Sequence, residues 1–256
     1  MPINDRKPLV TVIMPAYNAA GFIREAIQSV LNQTVTDLEL LVIDDGSTDE
    51  TTQIVEQLCK TDARVRLLVN EKNLGAGGTR NRGLELSASP YIALLDSDDY
   101  WKPQMLEKLI ARMKETGADL SYCSYELVDE QGRKICNDFI VPEDTDFERS
   151  AVRNVISCSS VVFSESVVKQ YRFPTDIYHE DLALWFRMLR DGIVARGVPE
   201  VLAGYRQRAG SKTAGKLKSA VRRWSVYRKY MGLSFFKSAR YMIRYGYYGL
   251  KKYKRV

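Results

Sequence analysis

The sequence predicts an α/β fold: a doubly wound, mostly parallel sheet followed by a helical, basic C-terminal extension. Three observations carry that reading. Short apolar runs alternate with segments of helical spacing through the first half of the chain, the order that builds a parallel sheet with covering helices. Polar loops stand directly after three of those runs, where an open α/β sheet binds its ligands. Residues 201–256 hold 16 Lys and Arg and no Asp or Glu, whereas residues 1–200 carry 22 basic and 32 acidic side chains. Such a split suits a body with an appendage that seeks an anionic surface.

Leu9-Val10-Thr11-Val12-Ile13-Met14 is a continuous apolar run, as in a strand buried on both faces. Phe22, Ile23, Ala26, Ile27, Val30 and Leu31 share one helical stripe, predicting a helix over about 20–32. Leu38-Glu39-Leu40-Leu41-Val42-Ile43 gives a second strand, after which Ser47 or Thr48 is placed to cap a helix running to about Cys59. A third strand is expected over 65–69, a helix over 74–86 and a fourth strand at Tyr91-Ile92-Ala93. Pro103 opens another helix at a position where proline is tolerated. A fifth strand follows over 119–125, whereas 129–153 is polar and irregular and yields no elements. Later come a strand over 157–163, a helix over 180–190 and a short strand at Ile193-Val194-Ala195. After Val201 the pattern turns helical. Leu217, Ala220, Val221, Trp224, Tyr227 and Met231 form one stripe, and beyond Gly232 a second holds Phe236, Ala239, Ile243, Tyr247 and Leu250.

Composition narrows the classes. Cys59, Cys123, Cys136 and Cys158 show no C-x-x-C spacing and read as reduced thiols of a cytoplasmic protein. A structural zinc site is not expected, because His179 is the only histidine and has no cysteine near it. No signal-peptide pattern is expected, and no stretch has the apolar length of a transmembrane helix. Gly75-Ala76-Gly77-Gly78 sits too late, with its third glycine misplaced, for a dinucleotide fingerprint.

The chemistry gathers in Asp96-Ser97-Asp98-Asp99, directly after the fourth strand. Three carboxylates so close repel one another unless a divalent cation or a ligand's donors neutralise them, and hard cations such as Mg²⁺ and Mn²⁺ favour oxygen ligands. The alternative is an acidic turn whose Asp98 or Asp99 caps the next helix. The cluster alone leaves both open.

A series of blocks decides further. Pro15-Ala16-Tyr17-Asn18, Ser29-Val30-Leu31-Asn32-Gln33-Thr34 and Glu39 through Asp44-Asp45-Gly46-Ser47-Thr48-Asp49 come first. Asn73-Leu74-Gly75, Thr79-Arg80-Asn81-Arg82-Gly83-Leu84, Leu95 through Trp101, His179-Glu180-Asp181-Leu182 and Tyr205-Arg206 follow. Together they resemble the inverting family 2 glycosyltransferases of the GT-A fold, of the bacterial surface-polysaccharide type. The resemblance spans roughly residues 9–211. It implies a catalytic domain over 1–212, with a nucleotide-binding half to about residue 100 and an acceptor-binding half over 101–212. Residues 213–256 would form a basic amphipathic tail.

The resemblance also implies roles. Asp98 and Asp99 would hold Mn²⁺ or Mg²⁺, with Asp96 and Ser97 toward the ribose or donor sugar. Asp45 would accept the N3–H of uracil, Tyr17 would stack on the base beside Pro15, and Asn18 and Asn73 would line the same site. Arg80 would be the cation near the base or diphosphate. Asp181 would be the general base, with Glu180 beside it, while His179 would line the acceptor site or cap its helix. Arg206, Arg208 and Lys212 would stand on the diphosphate side. Arg208 occupies a position where the family often has a histidine, and arginine binds phosphate rather than metal.

The implied function is transfer of a sugar from a UDP-sugar to a hydroxyl of a lipid-linked glycan. Residues 233–256 would rest on the anionic inner face of the cell membrane. Two other readings remain at this point: a non-catalytic nucleotide-sugar or polyanion-binding protein, and a sugar nucleotidyltransferase. Nucleic acid is disfavoured as a partner by the acidic remainder of the chain.

Overall fold

A computed structural model describes residues 7–207 and 216–252. Arg208 and Lys212, expected on the diphosphate side, lie outside the described residues, as do residues 253–256 of the tail. The chain opens with β1 (Val10–Ala16), α1 (Ile23–Leu31), β2 (Leu38–Asp44), α2 (Thr51–Thr61), β3 (Val65–Val69), α3 (Gly75–Leu86) and β4 (Tyr91–Leu94). These four strands pair in parallel, with β1 between β2 and β4. Val10, Val12, Ile13 and Met14 are wholly buried there, because helices cover both faces of such a sheet.

The second half is mixed. It contains β5 (Tyr100–Trp101), α4 (Met105–Thr116), β6 (Leu120–Val128), β7 (Asp144–Thr145), α5 (Phe147–Val152), a 3₁₀ turn (Cys158–Ser160), β8 (Val161–Ser164), α6 (Glu165–Gln170), α7 (Glu180–Arg190) and β9 (Ala195–Arg206). β8 runs antiparallel to both β4 and β6, β9 is parallel to β6, and β5 and β7 are antiparallel to β9. The sheet therefore reads β3-β2-β1-β4-β8-β6-β9-β5, with β7 beside β9. β8 enters at the rim where β6 ended, and this sets the Cys158–Ser160 turn against the loop that follows β4.

Four expectations about elements are corrected. The strand expected over 157–163 is the 3₁₀ turn followed by the short β8. The strand at 193–195 is extended into the twelve-residue β9 (Ala195–Arg206), so the helix expected to follow Val201 is described only from Lys216. The exposed Pro199 and Glu200 of β9 accompany register shifts against β6, so a bulge breaks the alternation that reveals a strand. Ser47 and Thr48 do not cap α2, whose N-cap is Glu50. Both are bonded instead to the neighbouring loops of the rim.

The C-terminal helices belong to the body. α8 (Lys216–Ser225) passes through a π-helical turn (Val226–Tyr230) and leads to α9 (Phe235–Lys252). A second core joins Ala151 and Val152 of α5, Leu182, Ala183 and Phe186 of α7, and Val226, Tyr227, Met231 and Tyr241. Phe186 and Tyr227 stack at 5.8 Å. α9 is two-faced: Ser238 and Tyr241 are buried, Lys237 pairs with Glu148 at 2.9 Å, and Phe236, Ile243 and Tyr247 stand exposed.

Candidate active site

Three loops at the carboxyl ends of β1, β2 and β4 meet on one rim, as the sequence predicts. The first two are braced by their own hydrogen bonds. Asp44 accepts from the backbone N–H groups of Gly46 and Ser47 and from the Ser47 hydroxyl. Asn18, held at φ 48°, donates its N–H to Ser47 Oγ and accepts from Thr48 N through Oδ1. It therefore stitches the two loops together, and asparagine tolerates that left-handed backbone better than most residues. Asn73 likewise donates to the Asp45 carbonyl at 2.9 Å.

Asp45, expected to read the base, is buried and anchors the start of α3. Oδ1 accepts from Leu74 N and Asn70 Nδ2, each at 2.7 Å, and Oδ2 accepts from Gly75 N at 2.8 Å. A carboxylate has about four lone-pair sites, so this architecture leaves one for a ligand. Tyr17 is 51% exposed beside it, and Pro15 pairs with Ile43 in the sheet.

The acidic loop is different. Asp99 is 2% exposed; Oδ1 accepts from Arg206 N at 2.8 Å and Oδ2 from the Ser159 hydroxyl at 2.5 Å. Burial, and then the charges of Asp98 and Asp96, push its carboxyl well above the usual range. The helix-cap alternative falls, because β5 follows the cluster directly and α4 starts at Met105 with Gln104 as its N-cap. Arg206 is not a diphosphate-side cation reaching into the open. Its guanidinium is buried, donating to the Asp98 carbonyl at 2.9 Å and the Glu130 carbonyl at 3.0 Å and pairing with Glu25 at 2.6 Å. It braces the loop from beneath, and Ser97 is buried in the same turn.

Among the described residues, no group of three or more His, Cys, Asp or Glu side chains forms a ready cage for a metal. Mg²⁺ and Mn²⁺ do not require one, since they are commonly held by one or two carboxylates together with substrate phosphates. The oxygen-only donor set and the mutual repulsion that raises Asp99 fit such a cation.

The last piece comes from far along the chain. His179 adopts φ 64° at the N-cap of α7 and makes no side-chain cap, so capping is not its role. Glu180 and Asp181 open the helix. Burial, and then the neighbouring Glu180, raise the Asp181 carboxyl above its ordinary pKa, while Arg80 opposes them. Arg80 is the connector: its Nη2 lies 2.6 Å from Asp96 and its Nη1 3.2 Å from Glu180, over the ring of Phe173. Burial works against its charge, but Asp96 first, then Cys158 and Glu180, hold its pKa well above normal. Arg80, expected beside the base or diphosphate, stands between the acidic loop and α7.

The glycine run of α3 also finds its reason. A Cβ on Gly77 would lie 3.1 Å from the Pro174 carbonyl and 3.2 Å from Glu180 Cγ. The small residues let α3 approach the 174–180 segment, leaving a cavity of about 330 Å³ lined by Leu74, Gly77, Gly78, Tyr178 and Glu180. Sequence reasoning missed Ser159, Glu25 and Phe173, whose contacts arise only from the fold.

Comparison with known proteins adds to this geometry. The model of the family described as glycosyl transferase family 2 matches residues 11–171. The chain is 35% identical over 246 residues to the putative teichuronic acid biosynthesis glycosyltransferase TuaG of Bacillus subtilis, covering 96% of this chain and 98% of that one. It is 35% identical over 219 residues to WfgD of Escherichia coli, a UDP-Glc:alpha-D-GlcNAc-diphosphoundecaprenol beta-1,3-glucosyltransferase, covering 85% of each. Among solved structures it resembles S. aureus TarS 1-349 in complex with UDP-GlcNAc, with TM-score 0.72 and 21% identity over 92% of this chain and 71% of that one. It also resembles the mannosyltransferase PcManGT of Pyrobaculum calidifontis in complex with GDP-Man and Mn2+, with TM-score 0.66 and 18% identity over 98% of this chain and 73% of that one.

Proposed function

The chain belongs to glycosyl transferase family 2 and is a glycosyltransferase of the GT-A fold, and within that family we propose that it moves a sugar from a UDP-sugar, with inversion, to a hydroxyl of a lipid-linked glycan during surface-polysaccharide synthesis. One observation carries the reading. Buried Arg80 ties Asp96 of the acidic loop to Glu180 beside Asp181, so a phosphate-side loop and a proton-accepting carboxylate share one rim. The named activities of TuaG and WfgD support the pathway and the lipid-linked acceptor. For the donor, support comes from the UDP-GlcNAc bound to TarS and from Asp45, whose remaining acceptor site suits the N3–H of uracil and repels N3 of cytosine.

In the reaction, Asp181 takes the proton of the acceptor hydroxyl as its oxygen forms a bond to the anomeric carbon. The bond from that carbon to the diphosphate breaks on the opposite face, and UDP leaves with the electron pair. Glu180, restrained by Arg80, keeps the start of α7 aligned with the donor. Asp98 and Asp99 would hold a divalent cation, Mg²⁺ or Mn²⁺, which neutralises charge developing on the departing diphosphate.

The exposed face of α9 supports a peripheral place on the anionic inner surface of the membrane. Phe236, Ile243 and Tyr247 are exposed there, and Arg240 and Arg244 are exposed beside them, the mixture that suits a lipid interface. No helix among the described residues is long and apolar enough to cross a membrane. Donor hydrolysis measured across UDP-, GDP- and CDP-sugars with Mn²⁺ tests the core of the proposal. Turnover of UDP-sugars is expected, and a strong preference for GDP- or CDP-sugars would overturn the role of Asp45.

A further inference from the structure

The C-terminal helices reach the site itself. Arg222 of α8 places its guanidinium 4.2 Å from the ring centroid of Tyr178, which is 62% exposed and stands three residues ahead of Asp181. The next residue, Arg223, is buried and donates to the carbonyls of Ser150 and Ala151 and to the Tyr227 hydroxyl. These neutral acceptors anchor the arginine without cancelling its charge.

His179 senses both sides of this arrangement. Burial lowers its pKa; Asp181 and Glu180 push the other way, whereas Arg223 and Arg222 add to the lowering. Two guanidinium charges and the base carboxylate therefore act on the same imidazole. The cavity lined by Tyr178, Glu180 and Gly77 opens along the same turn.

An acceptor sugar joined to its lipid by a diphosphate carries a strong negative charge within one sugar ring of the attacked hydroxyl. Glu180 and Asp181 alone would repel it. A cation on the far side of the sugar offsets that repulsion, and the planar arginine fork is matched to phosphate oxygens. We propose that Tyr178 and Arg222 form the acceptor subsite, the ring backing the acceptor sugar and Arg222 binding the diphosphate that links this sugar to its lipid. The inference rests on the lipid-linked acceptor proposed above.

The test compares two soluble acceptors without vesicles: a short-chain prenyl-diphosphate N-acetylhexosamine and the neutral alkyl glycoside of the same sugar. Arg222→Gln is expected to raise the KM for the diphosphate acceptor about tenfold, the loss of one charge-assisted contact. The KM for the neutral glycoside, the kcat for both acceptors and the hydrolysis of the donor should stay unchanged. Arg222→Lys should recover part of the loss. Tyr178→Ala should weaken both acceptors alike while leaving UDP binding intact. An equal rise for both acceptors in Arg222→Gln, an unchanged KM for the diphosphate acceptor, or a defect seen only with anionic vesicles overturns the subsite. The last outcome would assign Arg222 to lipid headgroups. A wild-type enzyme that hydrolyses the donor yet transfers to neither acceptor overturns the lipid-linked acceptor and the subsite with it, whereas the other outcomes remove the subsite alone.

Discussion

The acidic groups of the rim are held in two opposite ways. Asp44 and Asp45 each accept three hydrogen bonds from neighbouring donors. Asp96, Asp98 and Asp99, and then Glu180 and Asp181, crowd against one another, with Arg80 between the two groups and the Arg206 guanidinium beneath the loop. A carboxylate that accepts three hydrogen bonds is held in place by them. A carboxylate pushed up by burial and like charge, as Asp99 and Asp181 are, stores an electrostatic cost that a cation or a proton relieves. Under the proposed function the contrast separates groups that build the site from groups that react in it, since perturbed carboxyls cluster where proton transfer and ion binding occur.

The sharpest way to break this contrast is to neutralise one member of each class. Asp181→Asn should lower kcat for transfer by about 10²–10⁴-fold, the usual contribution of a general base, with UDP affinity by calorimetry unchanged. Transfer near the wild-type rate would hand the role to Glu180 or His179. Asp98→Ala should abolish metal-dependent UDP binding and leave the melting temperature in place. Asp99→Ala should lose that binding and also cost about 1–3 kcal/mol of stability, because it strands the Ser159 hydroxyl and the Arg206 N–H. If both variants bound UDP and Mn²⁺ normally, the acidic loop would join Asp45 among the builders.

Asp45→Asn tests the other class. An amide offers one acceptor oxygen to the three donors that now meet the carboxylate, so denaturant unfolding should show a loss of about 1–3 kcal/mol. Altered base selectivity is expected as well, because the amide no longer offers uracil the carboxylate's remaining acceptor site, and a variant of unchanged stability would remove Asp45 from the frame.

A pH profile sharpens the contrast through Arg80. In the proposed mechanism Asp181 works as a carboxylate, and its folded pKa lies above the ordinary value. Activity should therefore be lost, as pH falls, at a higher pH than an unperturbed aspartate near 3.9 would give. Arg80 holds that pKa down, so in Arg80→Gln the acid limb of kcat/KM should move further up. A limb that stays put would reduce Arg80 to a structural brace.

How much of this was legible in the chain follows from what each residue touches. β1 to β4 carry continuous apolar runs, and the polar loops directly after β1, β2 and β4 are legible for the same reason. β9 escaped because Pro199 and Glu200 interrupt its pattern at a bulge. Arg80 was legible as a cation of the site, but its partner Glu180 stands a hundred residues later, and only the fold brings them together. Arg206 was misplaced for a related reason: its partner Glu25 lies on α1, which no local pattern connects to β9. The stripes of α8 and α9 were visible as amphipathic, yet periodicity cannot say which face meets protein. Tyr241 and Ser238 chose α5, and the rest of α9 was left facing outward.

That outward face carries the smallest expected effect, and it concerns location rather than catalysis. Lys237 is already paired with Glu148, so the exposed Arg240 and Arg244 are the better candidates to meet anionic lipid. Each such charge contributes about 1 kcal/mol near a negatively charged surface. Replacing both by Ala should thus weaken binding to anionic vesicles roughly 30-fold at low salt, and less as salt screens the attraction. Phe236→Ser, with the ring 85% exposed, should lower the salt-resistant remainder of binding. Neither change removes a buried contact, so melting temperature and donor hydrolysis should match the wild type. Vesicle sedimentation across a salt series measures both, and unchanged sedimentation of the combined variant would show that α9 faces something other than lipid.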